Sequence, residues 1–459
     1  MLRTAIIVGC LLLSLAAQAV LPNDAIQRCL DVRRLADFTT RQKMAAKEPG
    51  VLRFKFHKIP ASALPLNNTV MNMTEVITAL EHQMDHCTKK SGSVNKIVIA
   101  GKTFKRHQWC LQMNQKMLAY AKAAKGDFKK YLARIQNEFD WYQSDGWPEN
   151  QIGLNKGTFQ FTAYYAPAAI EASSQRNQKF VYPIYSNPGV VNVAFEAQKL
   201  RLKTPLCGVD PLTKMMRGYC MKNANGSYSI APDREEIERG VLDPKYIIGY
   251  VRDPNDPHFL MLEGSGSLIL DGRLFHLNYD GYNGRPRTML GRIVQCSQDP
   301  TCGGNLDTME RCAQDPKCHD LEKLRCKVSK EIRQSAAAEK FIRHYLDNHK
   351  NASDLRNRDQ SYVFFARENG GPYGSENIPL TPHTSCATDH KVIPLGISML
   401  YNFKNTTSWC IAQDTGGAIV GAHIDIYKGE GDEAGIEANA VNDSGALFIA
   451  LPKREHKRV

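Results

Sequence analysis

Two acidic residues near the end of the chain are of a type and spacing that can perform acid–base chemistry. Asp414 ends the stretch "CIAQD", and Asp425 lies eleven positions later within "AHIDIYKG", where polar and apolar residues alternate. In a β-strand this alternation places His423, Asp425 and Tyr427 on one face, with the apolar residues directed into a core. Two neighbouring carboxyl groups raise the pKa of one of them, which keeps a proton available near neutral pH.

Two other interpretations of these acids need to be weighed. Asp414 can simply cap the turn that contains Gly416-Gly417, while Asp425 lies on a solvated strand face. Asp414-Thr415-Gly416 is also a triplet found in aspartic proteases, and Asp443-Ser444-Gly445 offers a second copy. The copies are only 29 residues apart, too close for each to lie in its own lobe and meet across a cleft. The protease interpretation is therefore rejected. Spacing alone does not exclude the purely structural interpretation of Asp414 and Asp425.

The elements that must position these residues are short β-strands. From Ser361 onwards, "SYVFFA", "KVIPLGISMLY", "SWCIAQD", "AIVGAHIDIY" and "GALFIALP" follow one another at near-regular spacing, which is typical of a small barrel. A second β-rich region begins at Thr158 and contains a hairpin turn at Asp271-Gly272. Residues 20–150 instead show helical spacing, with Gly126-Asp127 as a break and a cap.

Composition narrows the class of partner. The formal net charge is +12, but the basic residues are dispersed and no nucleic-acid motif accompanies them, so no nucleic-acid partner is expected. An anionic extracellular polymer suits this charge, and a solvated basic surface explains it equally well. After the first twenty residues no apolar run approaches the ~20 residues that cross a bilayer, so no transmembrane segment is expected.

The start of the chain predicts export. Residues 1–19 combine an Arg, an apolar run and the small-residue pattern "AQA", as in a cleaved signal peptide. "IVGC" also resembles a lipoprotein box, but the apolar run continues beyond Cys10, which argues against lipidation there. Removal of Cys10 leaves an even set of cysteines, which predicts disulfides in an exported chain. Because no pair has Cys-x-x-Cys spacing, no metal site is expected.

Six motifs in fixed order carry a family resemblance. They closely resemble the membrane-bound lytic murein transglycosylase A family over roughly residues 155–290 and 360–452. The motifs are "FTAYYAP" (161–167), "YPIY" (182–185), "EGSGSL" (263–268), "YDGYNGRP" (279–286), "IPLTPHTSCATDHKVIPLG" (378–396) and "AQDTGGAIVGAHIDIYKGEGDEAG" (412–435).

The resemblance implies a mainly β fold, in which a second β-barrel is inserted into a double-psi β-barrel and a substrate groove runs between them. The helical spacing of residues 20–150 adds an α-helical N-terminal extension before the barrels, which the family lacks. The expected organisation is a signal peptide at 1–19, the helical extension at 20–150, the double-psi barrel at 151–175 and 355–455, the inserted barrel at 176–293, and a cysteine-rich and helical insertion at 294–354.

The resemblance also implies the chemistry. It matches the three aspartates of the family to Asp389, Asp414 and Asp425, with Asp425 as the catalytic acid and the other two in supporting roles. The implied reaction cleaves the β-1,4 bond between N-acetylmuramic acid and N-acetylglucosamine in peptidoglycan strands, leaves 1,6-anhydromuramoyl ends, and needs no metal or cofactor. The implied location is periplasmic or secreted, with outer-membrane association left open.

Candidate sugar-binding residues follow from side-chain chemistry, because aromatic faces stack on pyranose rings and hydroxyl or amide groups bond to their hydroxyls. The candidates are Tyr165, Ser265, Tyr279, Asn283, His423 and Tyr427. The alternative function is a carbohydrate-binding protein that kept the barrels and lost catalysis. Retention of all three aspartates argues against that alternative.

Cysteine spacing predicts three disulfides. Cys386 lies three residues before Asp389 and Cys410 four before Asp414, so joining them would tie together the segments that carry the supporting acids. A bond between Cys207 and Cys220 across a turn is also expected. The third expected bond joins Cys296 to Cys302.

Overall fold

The computed structural model describes residues 24–32, 34, 56–88, 96–99, 102–147, 157–193, 207, 218–298, 338–390 and 392–453. The signal peptide expected at 1–19 and most of the cysteine-rich insertion lie outside these residues. The chain forms two compact units, of which the first comprises 1–40, 189–242 and 282–362 and the second comprises 41–188, 243–281 and 363–459. Each unit is a separate compact body of the chain, and the three candidate acids belong to the second.

The helices and strands have the following bounds. The helices are α1 (Met73–Thr88), α2 (Asn114–Ala123), α3 (Phe128–Glu138), α4 (Arg234–Glu238), α5 (Asp256–Glu263), α6 (Leu290–Gln298), α7 (Ala338–Asp347), α8 (Ala352–Asn357) and α9 (Gly431–Asn439). The strands are β1 (Phe56–Ile59), β2 (Lys96–Ile99), β3 (Lys102–Lys105), β4 (Phe139–Ser144), β5 (Phe159–Ala166), β6 (Ile170–Ser173), β7 (Tyr182–Tyr185), β8 (Val190–Asn192), β9 (Tyr219–Lys222), β10 (Tyr228–Ser229), β11 (Ile247–Val251), β12 (Ser265–Leu270), β13 (Arg273–Tyr282), β14 (Val363–Glu368), β15 (Ser385–Thr388), β16 (Ser398–Phe403), β17 (Thr406–Asp414), β18 (His423–Glu430) and β19 (Asn442–Pro452).

The second unit is built on a barrel sheet with the strand order β1-β4-β19-β16-β17-β15-β18-β5. The sheet closes on itself because the start of β19 also pairs with β5, whereas its end pairs with β4. The pairs β15–β17 and β18–β5 are parallel, and the pairs β15–β18, β16–β17 and β16–β19 are antiparallel. The result is a ring of six strands with β4 and β1 attached, so the barrel expected from the strand spacing is present.

Apolar side chains fill the barrel. Phe161 on β5 stacks on Tyr401 of β16, with ring centroids 5.3 Å apart. Ile424 and Ile426 on β18 are fully buried, and each such side chain contributes about 1.5–3 kcal/mol through burial. The predicted alternation on β18 thus holds for the apolar residues. Tyr427 lies outside the barrel core, on the face of His423 and Asp425, but it is not accessible: it is only 2% exposed because it packs in a separate apolar cluster with Ala166, Leu380 and Tyr164.

The segment that precedes the barrel motifs is not purely helical. It contains α1 to α3, and the predicted cap is confirmed, because the Asp127 side chain accepts hydrogen bonds from the backbone N–H groups of Lys129 and Lys130 at the start of α3. It also contributes β1 and β4 to the barrel sheet, through pairing of β4 with β19. Trp141 and Tyr142 on β4 are buried, so this segment shares the barrel's core.

The second unit also contains a six-stranded sheet, with the order β14-β13-β12-β6-β11-β7. The hairpin predicted at Asp271-Gly272 is confirmed, because these two residues join β12 to β13 and Leu270 pairs with Arg273. Both turn residues have positive φ, 49° for Asp271 and 82° for Gly272, as a two-residue type I′ turn requires.

The first unit contains the three-stranded sheet β10-β9-β8 and the helices α4, α6, α7 and α8. Its predicted Cys207–Cys220 disulfide is confirmed. The predicted Cys296–Cys302 bond is wrong, because Cys296 is bonded to Cys29, 267 positions earlier. Short sequence spacing favoured a local bond, whereas the fold brings the helical segment at 24–32 to α6.

The second unit holds a third disulfide, Cys87–Cys110, between α1 and the π-helical turn His107–Met113. Cys386 and Cys410 are buried, unbonded thiols whose sulfur atoms lie 2.7 Å apart. The disulfide predicted between these two residues is not formed in the structure, although a small shift of the sulfur atoms would close it. Across the part of the chain that the structure describes, no helix has the length and apolar character to cross a membrane.

Candidate active site

Two of the three candidate acids flank the same strand residue. Ala387 on β15 is in register with Asp414 on β17 at one side and with Asp425 on β18 at the other. With neighbouring strands roughly 4.8 Å apart, this register separates the two Cα atoms by about 10 Å across the sheet. The closed barrel therefore brings together the two acids that the sequence places in adjacent strands.

Asp425 is partly buried and has a single hydrogen-bond partner among the described residues. The Thr162 hydroxyl on β5 donates to its Oδ1 over 2.6 Å, and Thr162 is the residue directly opposite Asp425 in the parallel β18–β5 pair. Burial raises the pKa of Asp425 to about 7, and the charge of Asp414 adds to this rise while the Thr162 hydrogen bond opposes it. Asp425 is thus a carboxyl group that carries a proton close to neutral pH and has Oδ2 available.

Asp414 has the opposite environment, because both of its oxygens are engaged. The Tyr164 hydroxyl donates to Oδ2 over 2.7 Å. The backbone N–H groups of Ser375 and Thr415 donate to Oδ1 over 3.0 Å and 2.8 Å, and the Ser375 hydroxyl is 3.3 Å away. Burial raises the pKa of Asp414 above its usual value, and the hydrogen bonds from Tyr164, Thr415 and Ser375 oppose that rise.

A close backbone approach makes the Ser375 contact possible. Gly374 precedes Ser375, and a Cβ atom at Gly374 would lie 2.6 Å from the backbone oxygen of Gln413 and 3.0 Å from Cβ of Asp414. Only glycine allows the loop to lie this near the end of β17. The loop places two of the donors that hold Asp414.

Asp389 follows β15 directly and is buried, with 7% of its surface exposed. Its Oδ2 accepts a hydrogen bond of 2.9 Å from the backbone N–H of Gly421, two residues before β18 begins. Its backbone carbonyl accepts from the N–H groups of Val392 and Ile393. Asp389 therefore ties together the loop after β15 and the entry to the strand that carries Asp425.

His423 lies on the same face of β18 as Asp425. Its Nε2 is 2.7 Å from the hydroxyl oxygen of Thr162. Burial lowers the pKa of His423 to about 4, so the ring is neutral near neutral pH. The structure brings His423, Thr162 and Asp425 into one hydrogen-bonded row.

The other candidate sugar contacts differ in exposure. Tyr279 on β13 is 47% exposed, and Ser265 on β12 is nearly buried, with 9% exposed. The Tyr165 ring lies against Gly435 of α9, where an added Cβ would be 2.9 Å from the ring. Tyr279 is therefore the candidate with the most accessible aromatic surface.

Two candidates are buried and already have partners. The Asn283 amide donates to the backbone carbonyls of Pro232 and Gln360 and accepts from the N–H of Tyr362, all within the first unit. The Tyr427 ring packs against Tyr164 with centroids 5.4 Å apart. Both side chains have contacts that organise the fold around them.

Residues that sequence reasoning did not single out complete the site. Thr162 and Tyr164 are the partners of Asp425 and Asp414, and Ser375 is a second partner of Asp414. The motif "FTAYYAP" contained a usable signal, because alternation along β5 places Thr162 and Tyr164 on the same face. Ser375 had no such signal, since a loop residue's position depends on how the whole barrel closes.

Comparison with known proteins locates the chain among relatives. A family model for the MltA specific insert domain matches residues 160–300, and a model for the 3D domain matches residues 384–451, which include Asp389, Asp414 and Asp425. The membrane-bound lytic murein transglycosylase A of Escherichia coli strain K12 is 27% identical over 366 residues, covering 71% of this chain and 81% of that protein.

Solved structures have the same fold. The membrane-bound lytic murein transglycosylase of Agrobacterium tumefaciens has a TM-score of 0.60 at 21% identity, covering 87% of this chain and 98% of that one. Escherichia coli MltA with bound chitohexaose has a TM-score of 0.54 at 21% identity, covering 90% of this chain and 97% of that one. The resemblance to the MltA family that was inferred from the motifs is confirmed.

Proposed function

We propose that this protein is a peptidoglycan lytic transglycosylase, with Asp425 as its acid and base. Asp425 protonates the leaving glycosidic oxygen between N-acetylmuramic acid and N-acetylglucosamine. The resulting carboxylate then accepts the proton of the muramoyl 6-hydroxyl as that oxygen closes on the anomeric carbon. The products are a free 4-hydroxyl on one fragment and a 1,6-anhydromuramoyl end on the other, and no water is consumed.

The observation that carries the proposal is the asymmetry between the two acids. Asp425 has one hydrogen-bond donor and a pKa raised to about 7, whereas Asp414 has donors on both oxygens. A glycoside hydrolase needs a second carboxylate that is free to attack the sugar or to activate water. Since the oxygens of Asp414 are already engaged, a reaction that uses one carboxyl group and the substrate's own hydroxyl suits this site better.

Supporting roles follow from the contacts. Asp414 holds a negative charge near Asp425 and so helps keep the proton of Asp425 in place, while Asp389 anchors the entry to β18 through Gly421. Tyr279, Ser265 and Tyr165 remain the proposed sugar contacts in the second unit, whereas Asn283 is buried in the first unit with its amide bonded to backbone groups. His423 and Tyr427 also remain proposed sugar contacts. The contact of His423 with Thr162 and that of Tyr427 with Tyr164 support a second role for both in organising the site.

The finer features of the fold and location are part of the same proposal. Two parallel strand pairs within the closed ring, β15–β17 and β18–β5, support a double-psi topology for the barrel. The partner is the glycan strand of peptidoglycan, in line with the chitohexaose bound by the Escherichia coli relative. Three disulfides among the described residues support an exported protein, placed in the periplasm or outside the cell.

The test compares Asp425→Asn with the wild-type protein on purified murein sacculi. The amide has the same shape but cannot deliver a proton, so we expect binding to sacculi to persist and release of soluble muropeptides to cease. Asp85→Asn changes an exposed aspartate on α1 and serves as the matched control, with activity expected to match the wild type. Substantial release by Asp425→Asn would remove Asp425 from the acid role, and binding without release by the wild type would favour a carbohydrate-binding protein.

A further inference from the structure

The hydroxyl group of Thr162 lies between two groups of the candidate site. Its oxygen is 2.6 Å from Oδ1 of Asp425 and 2.7 Å from Nε2 of His423. A threonine hydroxyl has one proton, so it can donate to only one of these neighbours and must accept from the other. The direction of one hydrogen bond therefore decides the direction of the second.

An ionised carboxylate can only accept hydrogen bonds. When Asp425 is ionised, Thr162 therefore donates to Oδ1, and His423 must donate to Thr162 from Nε2. The His423 ring is neutral, because burial lowers its pKa to about 4, so this arrangement requires the tautomer with the proton on Nε2. The competing arrangement has the ring proton on the other ring nitrogen, and Thr162 then donates to His423. The hydrogen bond between the ring and the backbone of Ala418 favours a protonated ring nitrogen, so the tautomer decides between the two arrangements.

We propose that His423 and Thr162 form a positioning relay in which His423 Nε2–H donates to Thr162 and Thr162 donates to Oδ1 of Asp425. In this arrangement Oδ1 accepts from Thr162, and the relay keeps that direction when Asp425 is protonated, so the exchangeable proton of Asp425 is confined to Oδ2. Oδ2 has no protein partner among the described residues, so it is the oxygen that can face a glycosidic bond. This inference rests on the proposed function of Asp425 and adds the residues that orient its proton.

The relay also stabilises the charge that forms during the reaction. As the proton leaves Oδ2, Asp425 becomes negative, and a donor already aimed at Oδ1 stabilises the carboxylate without reorganisation. The other groups that face Asp425 do not do this. Asp414 on β17 is an acid, Tyr164 on β5 donates to Asp414, and the Cys386 thiol on β15 lies buried beside Cys410.

The test uses Thr162→Val, which keeps the shape but removes the hydroxyl, and Thr162→Ser, which restores it. The first readout is the titration of the Asp425 carboxyl carbon by nuclear magnetic resonance in protein without substrate, assigned with Asp425→Asn. We expect Thr162→Val to raise the pKa of Asp425 by about one unit, because a donor to the charged form is lost, and Thr162→Ser to return it to the wild-type value. Thr103→Val, an exposed threonine on β3, is the matched control and should leave the pKa unchanged.

The second readout is the tautomer of His423, taken from its ring nitrogen shifts at pH 8, where Asp425 is ionised. The relay predicts a proton on Nε2. His423→Gln, whose amide nitrogen can replace that donor, should retain more activity than His423→Leu, with the difference in kcat and not in KM. On sacculi, Thr162→Val should lose on the order of ten-fold or more in kcat/KM, with its alkaline limb moved to higher pH.

A proton on Nδ1, or an unchanged pKa of Asp425 in Thr162→Val, would overturn the relay. Equal behaviour of Thr162→Val and Thr162→Ser would overturn it as well. Both spectroscopic readouts are made on the protein alone, so they test the relay even if sacculi are not cleaved. Failure of cleavage by the wild type would instead count against the proposed function.

Discussion

The hydroxyl group of Tyr164 donates a hydrogen bond of 2.7 Å to Oδ2 of Asp414, from the strand that also places Thr162 against Asp425. One strand, β5, therefore supplies a partner to each of the two acids. The two acids differ in how many of their oxygens are bonded. Tyr164 bonds Oδ2 of Asp414 while other donors bond its Oδ1, whereas Thr162 bonds only Oδ1 of Asp425 and leaves Oδ2 free. Asp414 and Asp425 are the same type of residue, and their different roles depend on the hydrogen-bond donors that β5 and the loop at Ser375 supply to each.

Tyr164→Phe tests whether Asp414 has a supporting role. Loss of the hydroxyl removes a hydrogen bond that opposes the rise in the pKa of Asp414, so Asp414 holds its negative charge less well. We expect kcat/KM on sacculi to fall about ten-fold, which corresponds to roughly 1.4 kcal/mol, with little change in binding. If Tyr164→Phe lost activity as completely as Asp425→Asn, Tyr164 and Asp414 would instead take a direct part in the reaction.

The pH dependence of the reaction follows from Asp425. The acid must carry its proton in the free enzyme, and burial raises the pKa of Asp425 to about 7. We expect kcat/KM to fall as the pH rises through about 7, approaching a ten-fold loss for each further pH unit. Initial rates of muropeptide release measured between pH 5 and pH 9 give this profile. A rate that increases through pH 7 would mean that the group must be ionised, which is incompatible with an acid.

Stability should depend on pH in the matching direction. The pKa of Asp425 in the folded protein is above its ordinary value of 3.8, so its favourable contribution is fully present below about pH 4 and is lost as the pH rises through 7. Asp425→Asn removes this loss. We therefore expect the variant to become more stable than the wild type by about 2–4 kcal/mol at pH 8, with a much smaller difference at pH 4. Denaturant unfolding at the two pH values checks this, and an equal difference at both would refute the raised pKa.

Cys386 and Cys410 should be joined in protein that has passed through an oxidising compartment. Their sulfur atoms are 2.7 Å apart in the core between β15 and β17, so a shift of under about 1 Å brings them to the ~2.05 Å of a disulfide. The bond would close a loop of 24 positions and stabilise the protein by roughly 3 kcal/mol. Non-reducing peptide mapping is expected to recover the Cys386–Cys410 pair. Recovery of Cys386 as a free thiol, or bonded elsewhere, would contradict this, and Cys207–Cys220 is the internal control.

Local patterns in the sequence anticipated the local features of the structure. Alternation on β18 placed Ile424 and Ile426 in the core, Asp127 capped α3, and the turn at Asp271-Gly272 formed, because neighbouring residues decide each of these features. The ordered motifs then identified the family, which gave the three aspartates their significance.

Features that depend on distant parts of the chain were not predictable in this way. Cys29 bonds to Cys296, β4 joins the barrel sheet, and Ser375 reaches Asp414 from a separate loop. Tyr427 is more deeply buried than His423 and Asp425 on the same face, because Leu380 and Ala166 come from elsewhere in the chain to cover it. In each case the contact depends on tertiary packing between distant segments, and a periodic pattern in the sequence cannot predict it.

The chemical form of the newly made muramoyl end tests the central claim most directly. If Asp425 accepts the proton of the substrate's 6-hydroxyl as that oxygen bonds to the anomeric carbon, the new end is a 1,6-anhydro ring. If a second carboxylate activates water instead, the new end is a reducing sugar that is heavier by one water. Sacculi digested with the wild-type protein are compared by mass spectrometry before and after borohydride treatment, with a hydrolytic lysozyme digest as the reference. The account predicts muramoyl ends that lack the water and resist reduction. Predominantly reducible muramoyl ends would contradict it, even if the protein cleaves murein efficiently.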